Sequence, residues 1–174
     1  MSLVYFGGIR TKDCLNQEWT KWAKFGEGAK SSLNKMIDLF NHVANWVTTE
    51  IVRGSSEKRR AATIKYFIDV AAEARAVNDF NTVMGIIAAL NGSTVRRLKK
   101  SWALVSAKRM QKFTELDALM SSASNYKGLR TTIQMTDEPL IPYMGMYLTD
   151  LTFVEVRSFV FIVDESVVDD DGLY

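Results

Sequence analysis

Proline is nearly absent from this sequence, and that absence constrains the possible folds more than any other feature. The 174 residues include only Pro139 and Pro142, which lie close together towards the carboxyl end. Because proline interrupts helices more strongly than any other residue, almost the whole chain is free to be helical. The segment 137–145, which holds both prolines, is predicted to be an extended connector, with a helix beginning near Pro142.

Apolar residues recur through the rest of the chain at the three- and four-residue spacing of amphipathic helices. Ser31 or Ser32 can cap the first such helix, predicted at 32–52, and Ser55 or Ser56 can cap the second, which extends to residue 77. Both segments are long and the break between them is short. An antiparallel helical hairpin is therefore predicted.

Further helical patterns follow at 80–90, 105–122 and 125–133. The first is apolar nearly all round, which is typical of a helix buried in the centre of a bundle. The predicted fold class is therefore all-α, a single helical bundle without a significant sheet. The apolar run SFVFIV at 158–163 favours extended backbone but has no strand partner in this fold. Nine side chains are predicted to be buried in the core: Ile64, Phe67, Ile68, Ile86, Ile87, Leu90, Leu98, Phe113 and Leu116.

The buried segment breaks at Asn91 and Gly92, which we expect to end it in a left-handed turn. Ser93 or Thr94 is then expected to cap a short new helix. Its inward face would carry Val95, Leu98 and Trp102, and its opposite face Arg96, Arg97, Lys99 and Lys100.

These cations belong to a basic stretch, 96–112, within a longer segment, 80–114, that has no acidic residue. Two interpretations are open: a solvated face of a short helix, or a stripe that binds nucleic acid. Base-stacking aromatic residues do not alternate with the cations, and the net charge of the whole chain is only +2. Both observations favour the solvated face.

Residues that perform bond chemistry or bind metals are scarce. The sequence has one histidine, His42, which is interpreted as structural or surface-exposed, and one cysteine, Cys14, so a Cys–His nucleophile and an intrachain disulfide are not expected. No phosphate-binding glycine loop, zinc cluster or calcium loop is present, so no metal and no cofactor are predicted. The sequence lacks a membrane-spanning run and a secretory signal, which predicts a cytosolic protein that works by binding.

Several blocks of the sequence carry a more specific signal. They are FNHVANWVTTEIV (40–52), the long block 59–102 with NDFNTVMGIIAALN and RLKKSW, NYKGLR (125–130) and PLIPYMGMYLTDLTF (139–153), with EWTK (18–21) as an earlier one. In this order and at this spacing they resemble the catalytic domain of Ras-type guanine-nucleotide exchange factors. The resemblance covers about 15–155, and the chain 1–174 is interpreted as a single partial domain with a divergent acidic tail at 157–174. It implies an orthogonal helical bundle whose helical hairpin is incomplete.

The resemblance implies release of GDP from a small Ras-like GTPase. It also implies a pocket that binds the switch II segment of that partner. Asp38 occupies a position where some members of the family carry arginine. A helical wedge beginning in MGMYLTDLTF is implied to open the switch I segment. By the same resemblance Trp46 is expected in the core. The implied GTPase-binding residues are Trp19, Ile37, Asp38, Met84, Asn91, Tyr126 and Tyr143, and the implied wedge residues are Thr149, Thr152 and Glu155.

Three functional hypotheses follow. The first is an exchange factor for a Ras-like GTPase, recruited to membranes by regions outside this sequence. The second is a protein that binds the same GTPases without releasing nucleotide, because Val156 and Arg157 stand where the family usually carries glutamate and glycine. The third is a nucleic-acid binder that uses the basic stretch 96–112.

Overall fold

A computed structural model describes residues 2–15, 18–21 and 30–167, and helices account for most of them. Within these ranges the one β-type pairing is a single parallel bridge between Asp79 and Ile141, so the predicted all-α class is confirmed. No helix in the described part of the chain is long and apolar enough to cross a membrane. The helices are α1 (Ser2–Gly7), a 3-10 turn (Thr11–Cys14), α2 (Glu18–Lys21), α3 (Ser32–Arg53), α4 (Glu57–Ala76), α5 (Phe80–Asn91), α6 (Ser93–Arg96), α7 (Lys99–Trp102), α8 (Ala107–Leu119), α9 (Lys127–Gln134) and α10 (Met144–Val167).

Helices α3 and α4 form the predicted hairpin, and both begin at the expected caps. The Ser31 hydroxyl accepts a hydrogen bond from the Asn34 backbone N–H at 3.2 Å. The Ser56 hydroxyl accepts one from Arg59 at the same distance. Each serine satisfies a backbone donor that has no partner inside its helix, which fixes the start of that helix.

Helix α5 is the central helix of the core, as its all-round apolar sequence predicted. Nine of its residues are buried, and it packs against both α3 and α4. At Gly85 the helix lies close to α3, since a Cβ added there would lie 3.1 Å from Cγ1 of Val43. A larger residue at this position would push the two helices apart.

The predicted burial is confirmed for eight of the nine core side chains, and the ninth is less buried than predicted. Leu98 is half-buried, although it still packs against the main core. Trp46, expected in the core, is 53% exposed. Its ring contacts the buried ring of Phe67 edge-on, with centroids 5.1 Å apart. It therefore covers the core from outside, because no described element packs over its other face.

The break after α5 differs from the prediction. Gly92 has φ −55° and ψ 142°, which is extended and not left-handed backbone. It is also the N-cap of α6, so neither Ser93 nor Thr94 takes that role. The physical reason is that Gly92 donates to the Ala88 and Ala89 carbonyls while its own carbonyl accepts from Val95 and Arg96. One residue thus ends α5 and starts α6, which leaves no room for a left-handed turn.

The basic stretch lies on solvated faces around this corner, and carboxylates from α4 pair with part of it. Lys100 pairs with Glu57. Arg109 and Lys112 both pair with Asp69, at 2.9 and 3.4 Å. Desolvation opposes ionisation of Asp69, but the hydrogen bonds and charges of these two cations outweigh it and lower its pKa. These ion pairs favour the solvated-face interpretation of the stretch.

The run 158–163 was expected to be extended, and that expectation is wrong. Helix α10 continues through it without interruption to Val167. The described residues offer this run no neighbouring strand, so its backbone N–H and C=O groups can be paired locally only within a helix. The intrinsic β preference of valine, isoleucine and phenylalanine is weak by comparison.

The connector before α10 is extended, as predicted, and is attached to the corner between α4 and α5. Ile141 donates its N–H to the Asn78 carbonyl at 3.0 Å, and its carbonyl accepts from Phe80 at 2.9 Å. The connector is thereby held against the amino end of the most buried helix. This attachment fixes where α10 starts, two residues after the buried Pro142.

Truncating a fully buried aromatic side chain tests this description of the core. Phe67 is 1% exposed. We expect Phe67→Ala to lower the free energy of unfolding by about 3–5 kcal/mol, since the surrounding helices cannot close the cavity fully. Urea denaturation followed by circular dichroism measures this. Val77→Ala, at a position that is 70% exposed, is the control and should change stability by less than about 0.5 kcal/mol. Equal midpoints for the two variants would contradict the assignment.

Candidate functional site

An open cavity lies where α5 ends, between that helix, the last turns of α8 and the loop that leads to α9. It encloses about 450 Å³. Methionine and alanine side chains supply most of its apolar walls, while asparagine, aspartate and serine supply polar groups. The lining residues are Met84, Ile87, Ala88, Asn91, Thr114, Asp117, Ala118, Met120, Ser121, Ser122 and Tyr126. Such a mixture suits an apolar anchor with a few polar contacts around it.

Asn91 is held in a fixed orientation in this cavity. Its Nδ2 group donates a hydrogen bond of 2.6 Å to Oδ1 of Asp117. Because the amide nitrogen is used in this way, the Oδ1 atom of Asn91 is left to accept from an incoming donor. Met84, one and a half to two turns earlier on α5, is 8% exposed and contributes an apolar surface.

Tyr126 and Tyr143 form an aromatic pair beside the cavity. Their ring centroids are 5.8 Å apart, and Tyr143 also contacts Phe40 of α3 at 5.6 Å. Burial raises the pKa of the Tyr143 hydroxyl, and the neighbouring Tyr126, through its charge and a hydrogen bond, raises it further. Tyr143 therefore keeps its proton at neutral pH and presents a neutral, rigid wall behind Tyr126.

The structure thus brings together four of the residues that the resemblance implied, but it places two others elsewhere. Trp19 and Ile37 belong to a second apolar cluster with Leu33, Met36 and Met144. Trp19 is 8% exposed, and its carbonyl accepts from the Asn34 side chain at 2.8 Å. The two clusters meet at the start of α10, since Met144 belongs to the second and Met146 to the main core.

Asp38 lies on α3 beside this second cluster. It forms an ion pair with Lys30 at 2.8 Å. The ring Nδ1 of His42 lies 3.1 Å from the Asp38 backbone carbonyl one turn earlier on the same helix, and His42 is exposed. The carboxylate of Asp38 is therefore already engaged with a cation within the chain.

The implied wedge residues share one face of α10. Thr149, Thr152 and Glu155 follow one another at three-residue steps, which places them along a single stripe. The hydroxyls of Thr149 and Thr152 donate to the carbonyls of Gly145 and Leu148 one turn earlier, at 2.8 and 2.9 Å. Both threonines are exposed, Glu155 is half-buried, and Phe153 nearby is 66% exposed. This face of α10 is accessible to a partner.

Sequence reasoning missed Asp117, which orients Asn91. A signal was present, because Asp117 follows Phe113 by four residues and precedes Met120 by three. It therefore lies on the edge of the apolar stripe of α8, where a carboxylate needs a partner. The pairing of Arg130 with Asp150, between α9 and α10, was also missed. No local pattern links those two residues.

Comparison with known proteins gives a consistent result. The RasGEF domain family model matches residues 1–170. Ras guanine nucleotide exchange factor E of Dictyostelium discoideum is 45% identical over 152 residues, which is 86% of this chain and 14% of that protein. Ras guanine nucleotide exchange factor A of the same organism is 38% identical over 91% of this chain and 26% of its own length. Ras-specific guanine nucleotide-releasing factor 1 of Rattus norvegicus is 37% identical over 87% of this chain and 12% of its own length. This chain thus spans about a quarter or less of each of these relatives.

The loop that carries Tyr126 into the cavity provides a test of the site geometry. Ser124 has φ 50°, in the left-handed region that strains any residue with a Cβ. We expect Ser124→Gly to raise the free energy of unfolding by about 0.5–1 kcal/mol, because glycine removes that strain. Ser122→Gly, at an exposed position without positive φ, is the matched control and should leave stability unchanged or lower it. Thermal unfolding of both variants measures this, and a loss of stability in Ser124→Gly would contradict the loop geometry.

Proposed function

This chain belongs to the RasGEF domain family, and we propose that it promotes the release of guanine nucleotide from a small Ras-like GTPase. The observation that carries the proposal is the family match over residues 1–170. The cavity at the end of α5 supports it, because it offers a socket of a size and polarity suited to a protein anchor. The action requires no bond chemistry and no cofactor.

The proposed mechanism is a shift of population. An exchange factor that binds the nucleotide-free GTPase more tightly than the loaded one lowers the affinity of the GTPase for nucleotide by the same factor. The effect is limited by the difference between those two affinities, so a surface that bound both states equally would release nothing. The residues that matter are therefore those whose contacts improve when the nucleotide leaves.

Two surfaces of this chain suit the two halves of that task. The cavity with Met84, Asn91 and Tyr126 would take an apolar side chain of the GTPase switch II segment. Asn91 Oδ1 would accept a hydrogen bond from a polar donor of the same segment. The exposed stripe of Thr149 and Thr152 on α10 would press against the switch I segment. We assign Trp19, Ile37 and Tyr143 to the support of these surfaces, since they fix the base of α10 and the wall behind Tyr126. Asp38 and Glu155 are proposed as contacts at the margins of the interface.

A nucleotide-release assay tests the proposed function. Ras-, Rap- and Ral-type GTPases loaded with a fluorescent GDP analogue are mixed with excess GTP and increasing amounts of this chain. We expect saturable acceleration for at least one GTPase, where a tenfold increase corresponds to a barrier lowered by about 1.4 kcal/mol. Binding to nucleotide-free GTPase without acceleration would replace the proposal by the non-releasing binder. Neither binding nor acceleration would reject both.

Substitutions in the cavity test where the GTPase docks. We expect Tyr126→Ala and Tyr143→Ala each to weaken binding to a nucleotide-free Ras-like GTPase by about 2 kcal/mol or more, because Tyr126 lines the cavity and Tyr143 holds its ring in position. Tyr66→Ala, which removes an exposed tyrosine of α4, is the matched control and should bind normally. Isothermal titration gives the affinities, and melting temperatures show whether each variant is folded.

Removing two of the lysines of the basic stretch distinguishes long-range attraction of the GTPase from direct contact with it. Lys99 and Lys100 are both exposed. Replacing both by alanine should reduce the association rate and its salt dependence more than the dissociation rate, as expected for rim charges. Stopped-flow mixing at two salt concentrations measures this. Loss of binding in the lysine variant together with normal binding in the tyrosine variants would move the docking face to the basic stretch.

A further inference from the structure

The loop before α9 has an unusual backbone. Ser124, Asn125 and Tyr126 have φ values of 50°, 55° and 58°, so three consecutive residues occupy the left-handed region. Non-glycine residues take this conformation singly and at an energetic cost. Such a segment persists only where the surrounding structure holds it in place. Since Tyr126 lines the cavity, whatever holds this loop also determines the shape of the cavity wall.

Arg130 is the group that holds it. Its Nε donates to the Asn125 carbonyl at 2.8 Å, and its Nη2 donates to Oδ1 of the same residue at 3.3 Å. The same Nη2 lies 2.8 Å from both carboxylate oxygens of Asp150 on α10. The Asn125 amide also reaches Asp150, at 3.4 Å. One guanidinium therefore joins the loop behind the cavity wall to the side of α10.

Asp150 lies at a sensitive point of that helix. Met146, one turn before it, is fully buried and anchors the base of α10 in the main core. Thr149 and Thr152, on either side of Asp150 in the sequence, are exposed and belong to the stripe proposed to face the partner. Asp150 is thus attached where α10 leaves the core. A displacement of α10 there would also displace Thr152 and Glu155, which follow on the same helix.

A second arginine–aspartate ion pair in the fold serves as a comparison for Arg130 and Asp150. Arg109 and Asp69 join α8 to α4 at 2.9 Å, and their side chains are 40% and 37% exposed, against 28% and 35% for Arg130 and Asp150. Both pairs are accessible to solvent, so neither is expected to contribute much to stability. The difference is that the bonds of Arg109 and Asp69, within the described part of the chain, involve neither the loop at 124–126 nor α10. The chain therefore contains its own control.

We infer that Arg130 and Asp150 are positioning residues that couple the cavity to helix α10. When a side chain of the GTPase enters the cavity and moves Tyr126, the attached Asn125 moves Arg130, and Arg130 moves Asp150 and the base of α10. This rests on the proposed function and deepens it, since it states how binding of one segment of the GTPase is transmitted to the surface that displaces another. Residues that couple two states in this way affect the rate of release more than the affinity of the first contact.

The kinetic test separates coupling from binding. GDP release is measured at increasing concentrations of Asp150→Asn, Arg130→Lys, Asp150→Glu and the control Asp69→Asn. We expect Asp150→Asn to lower the maximal release rate roughly tenfold or more with little change in the half-saturating concentration, as for a misplaced reacting surface. Arg130→Lys keeps the charge but cannot span Asn125 and Asp150 together, so it should show the same defect. Asp150→Glu should restore part of the rate, and Asp69→Asn should match the unmodified chain.

Two kinetic outcomes would overturn the inference. One is an Asp150→Asn variant that behaves like Asp69→Asn. The other is a raised half-saturating concentration with an unchanged maximal rate, which would make Asp150 a simple contact residue. Melting temperatures close to that of the unmodified chain would show that the kinetic changes do not come from unfolding.

A measurement on the protein without its partner tests the coupling independently of nucleotide release. Amide hydrogen exchange, read by mass spectrometry, should be faster at 122–130 in both Asp150→Asn and Arg130→Lys, because the left-handed loop loses its support. Asp69→Asn should leave that segment unchanged. Equal protection in all variants would overturn the coupling whatever the release rates are. If the unmodified chain releases no nucleotide from any GTPase tested, the proposed function fails. The amide hydrogen exchange at 122–130 still decides whether Arg130 and Asp150 support this loop.

Discussion

Helix α5 is buried between α3 and α4, and its position sets where the connector and the cavity lie. Its apolar residues face neighbours on nearly every side, and Gly85 allows α3 to approach closely. A helix packed in this way cannot shift without creating cavities or overlaps, both of which are costly. Its two ends are therefore fixed points. The connector is attached at one end, through Asn78 and Phe80, and the cavity opens at the other, around Asn91.

The surfaces proposed to contact the GTPase combine rigid support with exposed atoms. Asn91 and Tyr126 lie at the cavity, yet each is held by a neighbour: Asn91 by Asp117, and Tyr126 by Tyr143 and by the loop that Arg130 supports. Groups that are already oriented lose little conformational entropy when a partner binds. The hydroxyls of Thr149 and Thr152 are likewise already oriented, because they bond to carbonyls of their own helix. Their methyl groups remain for contact with a partner.

Several cations of the basic stretch have partners within the fold. Part of it is matched by Glu57 and Asp69 of α4, and Arg96 lies over the ring of Phe113 with its guanidinium carbon 5.9 Å from the ring centroid. The cations thus help to attach α7 and the start of α8 to α4, and α6 to α8. The charges that remain at the surface suit long-range attraction of a partner better than direct recognition.

The long helices and the central position of α5 could be predicted from the sequence alone. The apolar spacing and the capping serines involve residues within one or two turns of each other, so they were legible in the sequence. The sequence narrowed each cap to two neighbouring serines, and the structure uses Ser31 and Ser56. Tertiary structure decided the exposure of Trp46, the extended backbone of Gly92 and the helical state of 158–163. In each case the outcome depends on what packs nearby, and local preference was too weak to decide it. The same holds for the site. Asn91 meets Asp117 across 26 residues and Arg130 meets Asp150 across 20, and only the packing of α5 with α8 and of α9 with α10 brings those atoms within hydrogen-bonding distance.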